Sequence, residues 1–241
     1  MNRAIVIGAT SGIGLEVARL LAERGYIVGV AGRRVDRLEA VVKSNENIKA
    51  CRQIDVTDES APQLLNELID ELGGMDLYFH SSGIGWENCE LDIEREMKTV
   101  ETNGLGFTRM VTAAYSWFAN NKGGQIACIT SIARTRGLGA APAYSATKRF
   151  QSHYLECLAQ QSRMRRLNIY ITDIRPGFVA TDLIAGSHFP LQLSANSVAR
   201  SIVKAVMQGK ETVIIDWRYR MLVAAWAMIP RWLWTRLRFV K

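Results

Sequence analysis

The chain has 241 residues, of which 48% are hydrophobic and 22% charged, and this balance is that of a globular domain and excludes a disordered chain. Its formal net charge is +7, but no acidic residue follows Asp216, whereas six Lys and Arg residues do. The excess charge therefore belongs to the C-terminal tail. No helix carries an interleaved basic and polar reading face, which argues against a nucleic-acid-binding protein.

Four cysteines are dispersed along the chain, with no CxxC pair and no His/Cys cluster: Cys51, Cys89, Cys128 and Cys157. They predict reduced thiols in a cytoplasmic protein, with neither a disulfide framework nor a metal site. No signal peptide is predicted, because Gly8 and Gly12 interrupt the apolar run that follows Arg3.

Residues 4–7 form an apolar, β-branched run that predicts a buried strand, and a glycine-rich turn and a helical pattern follow it. This order indicates the first half of a dinucleotide-binding βαβ unit. Gly8 permits the tight turn, Gly12 lets the backbone approach a pyrophosphate, and Gly14 lets helix and strand pack closely. Free N–H groups at the helix start can bind phosphates. The alternative is a plain glycine-rich loop, which the position between strand and helix disfavours.

The second predicted strand covers residues 26–31 and leads into Gly32, at a place where NAD-binding proteins carry an acidic residue against the adenosine ribose. Arg33 and Arg34 follow instead. Guanidinium groups suit a 2′-phosphate and thus indicate NADP(H). The alternative is a pair of surface arginines before the helix predicted at residues 37–42.

The alternation of strands and helices continues along the chain. Further strands are predicted at residues 48–54, 76–80, 124–130, 168–174 and 212–215, and helices at residues 62–72, 91–118, 144–166 and 197–207. Asn103-Gly104, near the middle of the longest helical pattern, predicts a kink or break there. The pattern as a whole predicts a single-domain α/β fold, with a doubly wound, mostly parallel seven-stranded sheet and helices on both faces.

Tyr144 and Lys148 lie four residues apart on a predicted helix, so their side chains share one face. An ammonium beside a phenol favours the phenolate, and we expect the pKa of Tyr144 to fall toward neutrality. Such a phenol can exchange a proton with an alcohol or a carbonyl. The same spacing also occurs on solvated helix faces, so a catalytic role depends on the rest of the sequence.

The motifs occur in a definite order: the turn at residues 8–14, Asp55-Val56, Asn103, Ser131, Tyr144 with Lys148, and Pro176-Gly177. Over about residues 3–216 this order resembles the classical short-chain dehydrogenase/reductase family. The resemblance implies a Rossmann-type catalytic domain over residues 1–216, with residues 217–241 as a basic, Trp-rich helical extension. It also implies an NADP(H)-dependent oxidoreductase, assembled as a homodimer or homotetramer, that interconverts a carbonyl and a secondary alcohol.

A catalytic tetrad is implied by the resemblance, formed by Asn103, Ser131, Tyr144 and Lys148. Tyr144 would pass a proton to the carbonyl oxygen of the substrate, and Ser131 would hold that oxygen. Lys148 would bind the nicotinamide ribose and lower the pKa of Tyr144. The backbone of Asn103 would bind a water that links Lys148 to solvent.

The resemblance also implies a set of cofactor contacts. They are Gly8, Thr10, Ser11, Gly12, Ile13, Gly14, Arg33, Arg34, Asp55, Val56, Gly83, Tyr144, Lys148, Pro176, Gly177, Val179 and Thr181. One departure from the family pattern is His80-Ser81-Ser82-Gly83, where the family often has Asn-Asn-Ala-Gly. We interpret His80 as a core histidine and not as a catalytic one, because Tyr144 already fills the acid/base role.

The substrate is expected to be a small apolar ketone or alcohol. The predicted pocket walls are Ile84, Trp86, Ala133, Leu138, Phe178 and residues 183–193, the last as a mobile lid. Arg134 and Arg136 could instead meet a substrate anion. A nucleotide-sensing protein that has lost catalysis is the alternative function, although it would have little reason to retain the tetrad.

The tail carries nine consecutive apolar residues at 221–229, too few to span a bilayer, which needs about 20. Pro230 is expected to kink the helix that follows. One side is predicted to be apolar, with Trp226, Ile229, Leu233, Leu237 and Val240 at helical spacing. We expect this side either to contact a membrane peripherally, at its inner surface, or to pack on a partner subunit or over the substrate cleft.

Overall fold

Strands and helices alternate along the chain in the computed structural model, which describes residues 2–182 and 191–237. The strands are β1 (Arg3–Ile7), β2 (Ile27–Gly32), β3 (Ile48–Gln53), β4 (Leu77–His80), β5 (Gly124–Ile129), β6 (Ile169–Arg175), β7 (Val179–Ala180), β8 (Leu193–Ser194) and β9 (Thr212–Ile214). The helices are α1 (Gly12–Glu23), α2 (Val35–Lys43), α3 (Ala61–Leu72), α4 (Ile93–Val100), α5 (Phe107–Ala119), α6 (Pro142–Met164), α7 (Ala195–Met207), α8 (Trp217–Met228) and α9 (Arg231–Trp234).

Seven strands form one sheet in the order β3-β2-β1-β4-β5-β6-β9, and every pairing in it is parallel. The chain winds outward from β1 to β3, returns to β4 and continues to β9. This reversal leaves a crevice at the carboxyl ends of β1 and β4, where doubly wound sheets bind their ligands. The predicted fold is confirmed. The small pair β7–β8 was not predicted, because two-residue strands are too short to show a period.

The sheet is buried on both faces, as the continuous apolar runs of its strands require. Successive residues of β1 point to opposite sides. Val6 belongs to a core with Val17 of α1 and Ile202 of α7. Ile5, next to it, belongs to a second core with Leu65 of α3. The two faces of the sheet therefore pack into two separate hydrophobic cores.

The long helical pattern before β5 is divided by a π-helical segment, Glu101–Gly106, between α4 and α5. The predicted break at Asn103-Gly104 is thereby confirmed. The close approach lies at Gly106, where a Cβ atom would stand 2.8 Å from Cγ2 of Val56. A glycine at that position lets the helix pass directly over the loop that follows β3.

The C-terminal extension packs on its own chain, and Pro230 separates α8 from α9 as predicted. The indole Nε1 of Trp234 donates to the carbonyl of Gly137 at 2.8 Å. Of the side predicted to be apolar, Leu233 and Leu237 are exposed, and Val240 lies outside the described residues. Trp234, which is not part of that side, is buried, because the break at Pro230 resets the helical phase and turns it inward.

Arg136 secures the end of α8. Its guanidinium donates to the carbonyls of Trp226 at 2.9 Å, of Ala227 at 2.8 Å and of Ile229. A cation at a helix C-terminus is favourable because it faces the negative end of the helix dipole. Among the described residues, no helix is long and apolar enough to cross a bilayer.

His80, the last residue of β4, is fully buried in the core, as predicted. Its Nδ1 lies 2.9 Å from the hydroxyl of Tyr78, and its ring meets Phe107 edge-on, with centroids 5.2 Å apart. Burial, together with the Lys148 ammonium, lowers the pKa of His80 to about 3, while a contact with the Ser82 backbone opposes this shift.

We predict that His80 makes the fold sensitive to acid. Its pKa is about 6.5 when unfolded and about 3 when folded, so its stability contribution is present above pH 6.5 and is lost as the pH falls toward 3. Between pH 7 and pH 5 this loss amounts to about 2 kcal/mol. The His80→Asn variant should lose that much less stability over this interval in urea unfolding. The control His153→Asn, at an exposed site, should behave like the wild type. An unchanged loss in His80→Asn would contradict the prediction.

Candidate active site

The glycine-rich turn holds β1, α1 and the loop after β4 in contact. Gly8 has a φ of 84°, and a Cβ atom there would lie 2.8 Å from the amide nitrogen of Ser82. A Cβ atom on Gly14 would lie 2.2 Å from the carbonyl oxygen of Gly8. Ile13 packs its side chain into the core. The Ser11 side chain makes no capping bond to α1, so it does not occupy the first N–H groups of this helix.

Arg34 reaches back from the end of β2 to this turn. Its Nη2 donates to Oγ1 of Thr10 at 2.7 Å and to Oγ of Ser11 at 2.8 Å. The carboxylate of Asp182 lies 3.5 Å from both Arg34 and Arg37. Hydrogen bonds from Ser11 and Arg34 lower the pKa of Asp182. The group of donors at the turn therefore stabilises an anion.

Arg33 takes a different direction from Arg34. Its side chain is 69% exposed and lies 3.8 Å from the carboxylate of Asp55. Asp55 in turn accepts hydrogen bonds from the backbone and the hydroxyl of Thr57, which fixes the loop after β3. The next carbonyl, that of Val56, accepts from Arg109 at 3.1 Å. The predicted cofactor contacts Asp55 and Val56 thus lie beside Arg33, and Arg34 lies at the turn.

Ser131, Tyr144 and Lys148 come together where β5 ends and α6 begins. The Ser131 hydroxyl lies near the Tyr144 phenol, close enough to lower its pKa. The Tyr144 ring lies on the backbone of Gly85, where a Cβ atom would stand 2.3 Å from Cδ2 of the ring. Lys148 Nζ lies 5.7 Å from the centroid of the Tyr144 ring. The structure therefore groups three members of the predicted tetrad.

The expected fall in the pKa of Tyr144 is not found. Burial raises this pKa above its usual value of 10, and the neighbouring Ser131 hydroxyl only moderates the rise. The ring keeps part of its surface exposed, yet protein closely surrounds the phenol. The ammonium of Lys148 directs its hydrogen bonds to other acceptors, so desolvation outweighs its attraction for a phenolate.

Lys148 is almost completely buried, and burial lowers its pKa to about 8. Its Nζ donates to the carbonyl of Ile129 at 3.1 Å and to Oε1 of Gln151 at 2.9 Å. Nε2 of Gln151 donates at 2.9 Å to the backbone carbonyl of Asn103. Gln151 was missed by the sequence analysis, although its place on the same side of α6 as Lys148 and Leu155 was a signal.

Asn103 uses its side chain to hold the loop after β4. Its Oδ1 accepts from the amide of Ile84 at 2.9 Å, and its Nδ2 donates to the Ile84 carbonyl at 2.7 Å. A Cβ atom on Gly83 would lie 3.3 Å from Asn103 Oδ1 and 3.4 Å from Lys148 Nζ. All four predicted catalytic residues and Gly83 are thus brought together.

The segment after β6 borders the same crevice. The carbonyl of Pro176 accepts from the amide of Ile132 at 3.1 Å, next to Ser131. Val179 is buried in β7, and the Thr181 methyl group stands 3.0 Å from the place of a Cβ atom on Gly12. These predicted cofactor contacts therefore lie near the turn and the tetrad.

Tyr219 of α8 is a second residue that the sequence analysis missed. Its ring covers Gly177, where a Cβ atom would lie 2.2 Å from the ring. Its hydroxyl accepts from the amide of Phe178 at 3.1 Å and donates to the carbonyl of Leu191 at 2.9 Å. No local pattern distinguishes this tyrosine from the other aromatic residues of the tail.

The structure describes only some of the residues that were predicted to line the substrate pocket. Ala133 is buried and Trp86 is 41% exposed, whereas residues 183–190 lie outside the described residues. A cavity of about 450 Å³ lies on the outer side of the loop after Ser131, where its lining includes Arg134, Leu138 and Arg149. Leu138, a predicted wall of the substrate pocket, lines this cavity, but no tetrad member does.

Two further observations concern possible ligand contacts. Within residues 2–182 and 191–237, no three His, Cys, Asp or Glu side chains are grouped so that they could hold a metal ion. Arg136, a candidate for contact with a substrate anion, is engaged by the carbonyls at the end of α8.

Comparison with known proteins gives sequence relatives over most of the chain. An uncharacterized oxidoreductase from Myxococcus xanthus is 31% identical over 223 residues, which cover 89% of this chain and 87% of that protein. Another, from Listeria monocytogenes, is 32% identical over 191 residues, or 76% of this chain and 77% of that protein.

Solved structures show the same fold. An alcohol dehydrogenase from the archaeon Thermococcus sibiricus, complexed with 5-hydroxy-NADP, has a TM-score of 0.79 and 22% identity, and the match covers 89% of this chain and 96% of that one. An actinorhodin polyketide ketoreductase variant with NADPH has a TM-score of 0.78 and 24% identity, over 89% and 95% of the two chains.

A family model described as short chain dehydrogenase matches residues 2–188. Together with the relatives above, this match establishes that the chain belongs to the short-chain dehydrogenase/reductase family of oxidoreductases.

Proposed function

We propose that the protein is an NADP(H)-dependent oxidoreductase that interconverts a carbonyl and a secondary alcohol. The observation that carries this proposal is the meeting of the Tyr144 phenol, the Ser131 hydroxyl and the Lys148 ammonium at the carboxyl end of a parallel sheet. These groups lie in the crevice that the glycine-rich turn also borders. A proton donor beside a nucleotide-binding turn is the arrangement that carbonyl reduction needs.

The residues at the turn fit a nicotinamide dinucleotide, which supplies or accepts the hydride when bound. Gly8 and Gly14 leave no room for side chains, and α1 presents free N–H groups to a pyrophosphate. Arg34 and Ser11 already contact an anion, the Asp182 carboxylate. This carboxylate stands in for the 2′-phosphate of NADP(H), which a guanidinium binds well.

In the proposed reduction, the Tyr144 hydroxyl donates its proton to the carbonyl oxygen as the carbonyl carbon receives the hydride, which yields the alcohol. The raised pKa of Tyr144 keeps the phenol protonated at neutral pH and so favours this direction. Alcohol oxidation requires the phenolate and is favoured as the pH rises. The Ser131 hydroxyl holds the reacting oxygen and stabilises the charge that develops on it.

The substrate proposed is a small apolar ketone or alcohol, since Ala133 and Ile84 lie close to the tetrad. A catalytically weak, nucleotide-sensing protein is the second candidate, and it would bind NADPH without turnover. The Tyr144 phenol next to the Ser131 hydroxyl favours the enzyme, because a sensor that only binds the nucleotide has no use for a proton donor. A screen of ketones with NADPH and NADH would decide between the two.

We further propose that the protein forms a homodimer or homotetramer through α4 and α6. Ile93 and Met97 of α4 and Phe150 of α6 are exposed, although they are large and apolar. α4 and α6 pack against one another, so an apolar surface extends over both helices. A second copy of the chain would remove this surface from water.

Tyr144→Phe should abolish carbonyl reduction and leave NADPH binding nearly intact, because only the transferable proton is lost. General acid catalysis contributes roughly 10²–10⁴-fold, and kcat should fall within that range. Lys148→Ala should reduce both kcat and NADPH affinity. The matched control is Tyr154→Phe, which removes a hydroxyl from the same helix, where it is bonded to Thr112. Near-normal turnover by Tyr144→Phe would refute the mechanism.

Arg34 should determine the preference for NADPH over NADH more strongly than Arg33. A charge-assisted hydrogen bond contributes about 1.5–3 kcal/mol, so Arg34→Ala should raise the KM for NADPH by about 10- to 100-fold. Its KM for NADH should barely change. Arg33→Ala should have a smaller effect, because its side chain is more exposed. Equal use of NADPH and NADH by the wild type would overturn this assignment.

The tail, taken as an extension of a catalytic unit of residues 1–216, is proposed to contact an anionic membrane surface from the cytoplasm. The four free cysteines fit that reducing compartment. Trp217, Met221, Met228 and Trp232 are largely exposed on the outer side of α8 and α9. The tail has no acidic residue after Asp216, and its arginines complement anionic lipid. A partner subunit could cover the same face.

The double variant Met221→Glu/Met228→Glu should stop co-sedimentation with anionic liposomes, because two carboxylates would enter the lipid interface. Binding of the wild type should weaken with added salt. Met164→Glu, at an exposed methionine of α6, is the control and should bind as the wild type does. If the wild type does not co-sediment, the membrane proposal is wrong. A change in oligomer size of the double variant would then assign the face to a partner subunit.

A further inference from the structure

Gln151 is a fully buried polar residue that joins two members of the tetrad. It lies one turn after Lys148 on α6, with no exposed surface. Its Oε1 accepts from the Lys148 ammonium at 2.9 Å, and its Nε2 donates at 2.9 Å to the Asn103 carbonyl. An ammonium can only donate and a carbonyl can only accept, so these partners fix the orientation of the amide.

The π-helical segment provides the acceptor for this bridge. The amide of Phe107 donates to the carbonyls of Thr102 and Gly104 and passes over that of Asn103. The Asn103 carbonyl therefore loses its usual α-helical partner and is free for a side chain. Gln151 fills this role from the neighbouring helix, so the break in the α4–α5 region and the position of Lys148 depend on the same amide.

We propose that Gln151 is a positioning residue, whose amide fixes the Lys148 ammonium relative to Tyr144 and the nicotinamide ribose. An ammonium has three N–H groups. Two of those of Lys148 are engaged by Ile129 and Gln151. The third is left for the side of Gly83, where the absence of a side chain keeps the space open. This inference rests on the proposed function, since it concerns the same site.

Few charged groups surround this ammonium. Tyr144 faces it from α6, Cys128 from β5 and Asp173 from β6, and His80 of β4 is kept neutral by its lowered pKa. The Asp173 carboxylate is engaged by Arg175, as well as by the hydroxyls of Thr130 and Ser152. A carboxylate in place of the Gln151 amide would therefore be a new charge beside Lys148.

Two variants distinguish the hydrogen bond of Gln151 to Lys148 from its hydrogen bond to Asn103. Gln151→Leu removes both hydrogen bonds and leaves the ammonium with one acceptor fewer. Gln151→Glu keeps an acceptor for Lys148 but cannot donate to Asn103, and it adds a negative charge that disfavours the phenolate of Tyr144. Gln160→Leu and Gln160→Glu, at an exposed position of the same helix, are the matched controls.

The test uses two measurements that need no carbonyl substrate. NADPH affinity is measured by fluorescence, and the phenol of Tyr144 is titrated by ultraviolet difference spectra against the matching Tyr144→Phe protein. We expect Gln151→Leu to weaken NADPH binding about 10-fold, since a charge-assisted hydrogen bond no longer holds the ammonium. Gln151→Glu should bind NADPH within about threefold of the wild type. It should also raise the pKa of Tyr144 by about one unit.

Wild-type affinity and an unshifted phenol titration in both variants would overturn the proposal. If Gln151→Leu does not fold, as judged by circular dichroism, the phenol titration of Gln151→Glu decides alone. The variants could show the expected changes in NADPH affinity and Tyr144 pKa while the wild type reduces none of the ketones screened. That result would reject the proposed reaction but support the positioning role of Gln151. If the wild type reduces a ketone, the alkaline limb of its pH profile of kcat should move to higher pH in Gln151→Glu, in parallel with the raised pKa of Tyr144.

Discussion

A buried ammonium is the constraint around which this site is arranged. Lys148 is almost completely buried, and a charge removed from water is costly unless acceptors replace the lost hydration. The protein supplies neutral oxygens, from the Ile129 carbonyl and the Gln151 amide, and no carboxylate is bonded to Nζ within the described residues. Neutral acceptors hold the ammonium in place without cancelling its charge, but the burial lowers its pKa to about 8. The charge thus remains available to a ligand.

The topology of the sheet explains how these groups meet. Parallel strands place their carboxyl ends on one edge, so the loops after β1, β2, β3, β4 and β5 all open toward the same crevice. Arg34, Gly83 and Ser131 each follow a different strand, and α6 brings Tyr144 and Lys148 alongside. The two hydrophobic cores pack on the two faces of the sheet and hold the strand ends in place. The hydrogen-bond donors on the loops are therefore preorganised.

The C-terminal extension is connected to this site through Tyr219 and Arg136. Tyr219 covers Gly177 and bonds to the backbone at Phe178 and Leu191, on either side of residues 183–190. Arg136, in the loop after Ser131, bonds to the end of α8. The tail therefore supports the segments that follow β5 and β6. Its inner face packs on the chain, and its outer face exposes tryptophan and methionine.

The sequence by itself determined the seven-stranded sheet, the glycine-rich turn and the shared helix face of Tyr144 and Lys148. Strands buried on both faces produce continuous apolar runs, and a spacing of four residues places Tyr144 and Lys148 on one helix face whatever surrounds them. Only the tertiary structure decided the rest. The direction of the Tyr144 pKa shift depends on desolvation by distant elements, and the roles of Gln151 and Tyr219 depend on partners far along the chain. The inward turn of Trp234 follows from the break at Pro230 and from the loop on which α9 packs. Local periodicity records which face is buried, but it holds no information about which atoms long-range packing brings to that face.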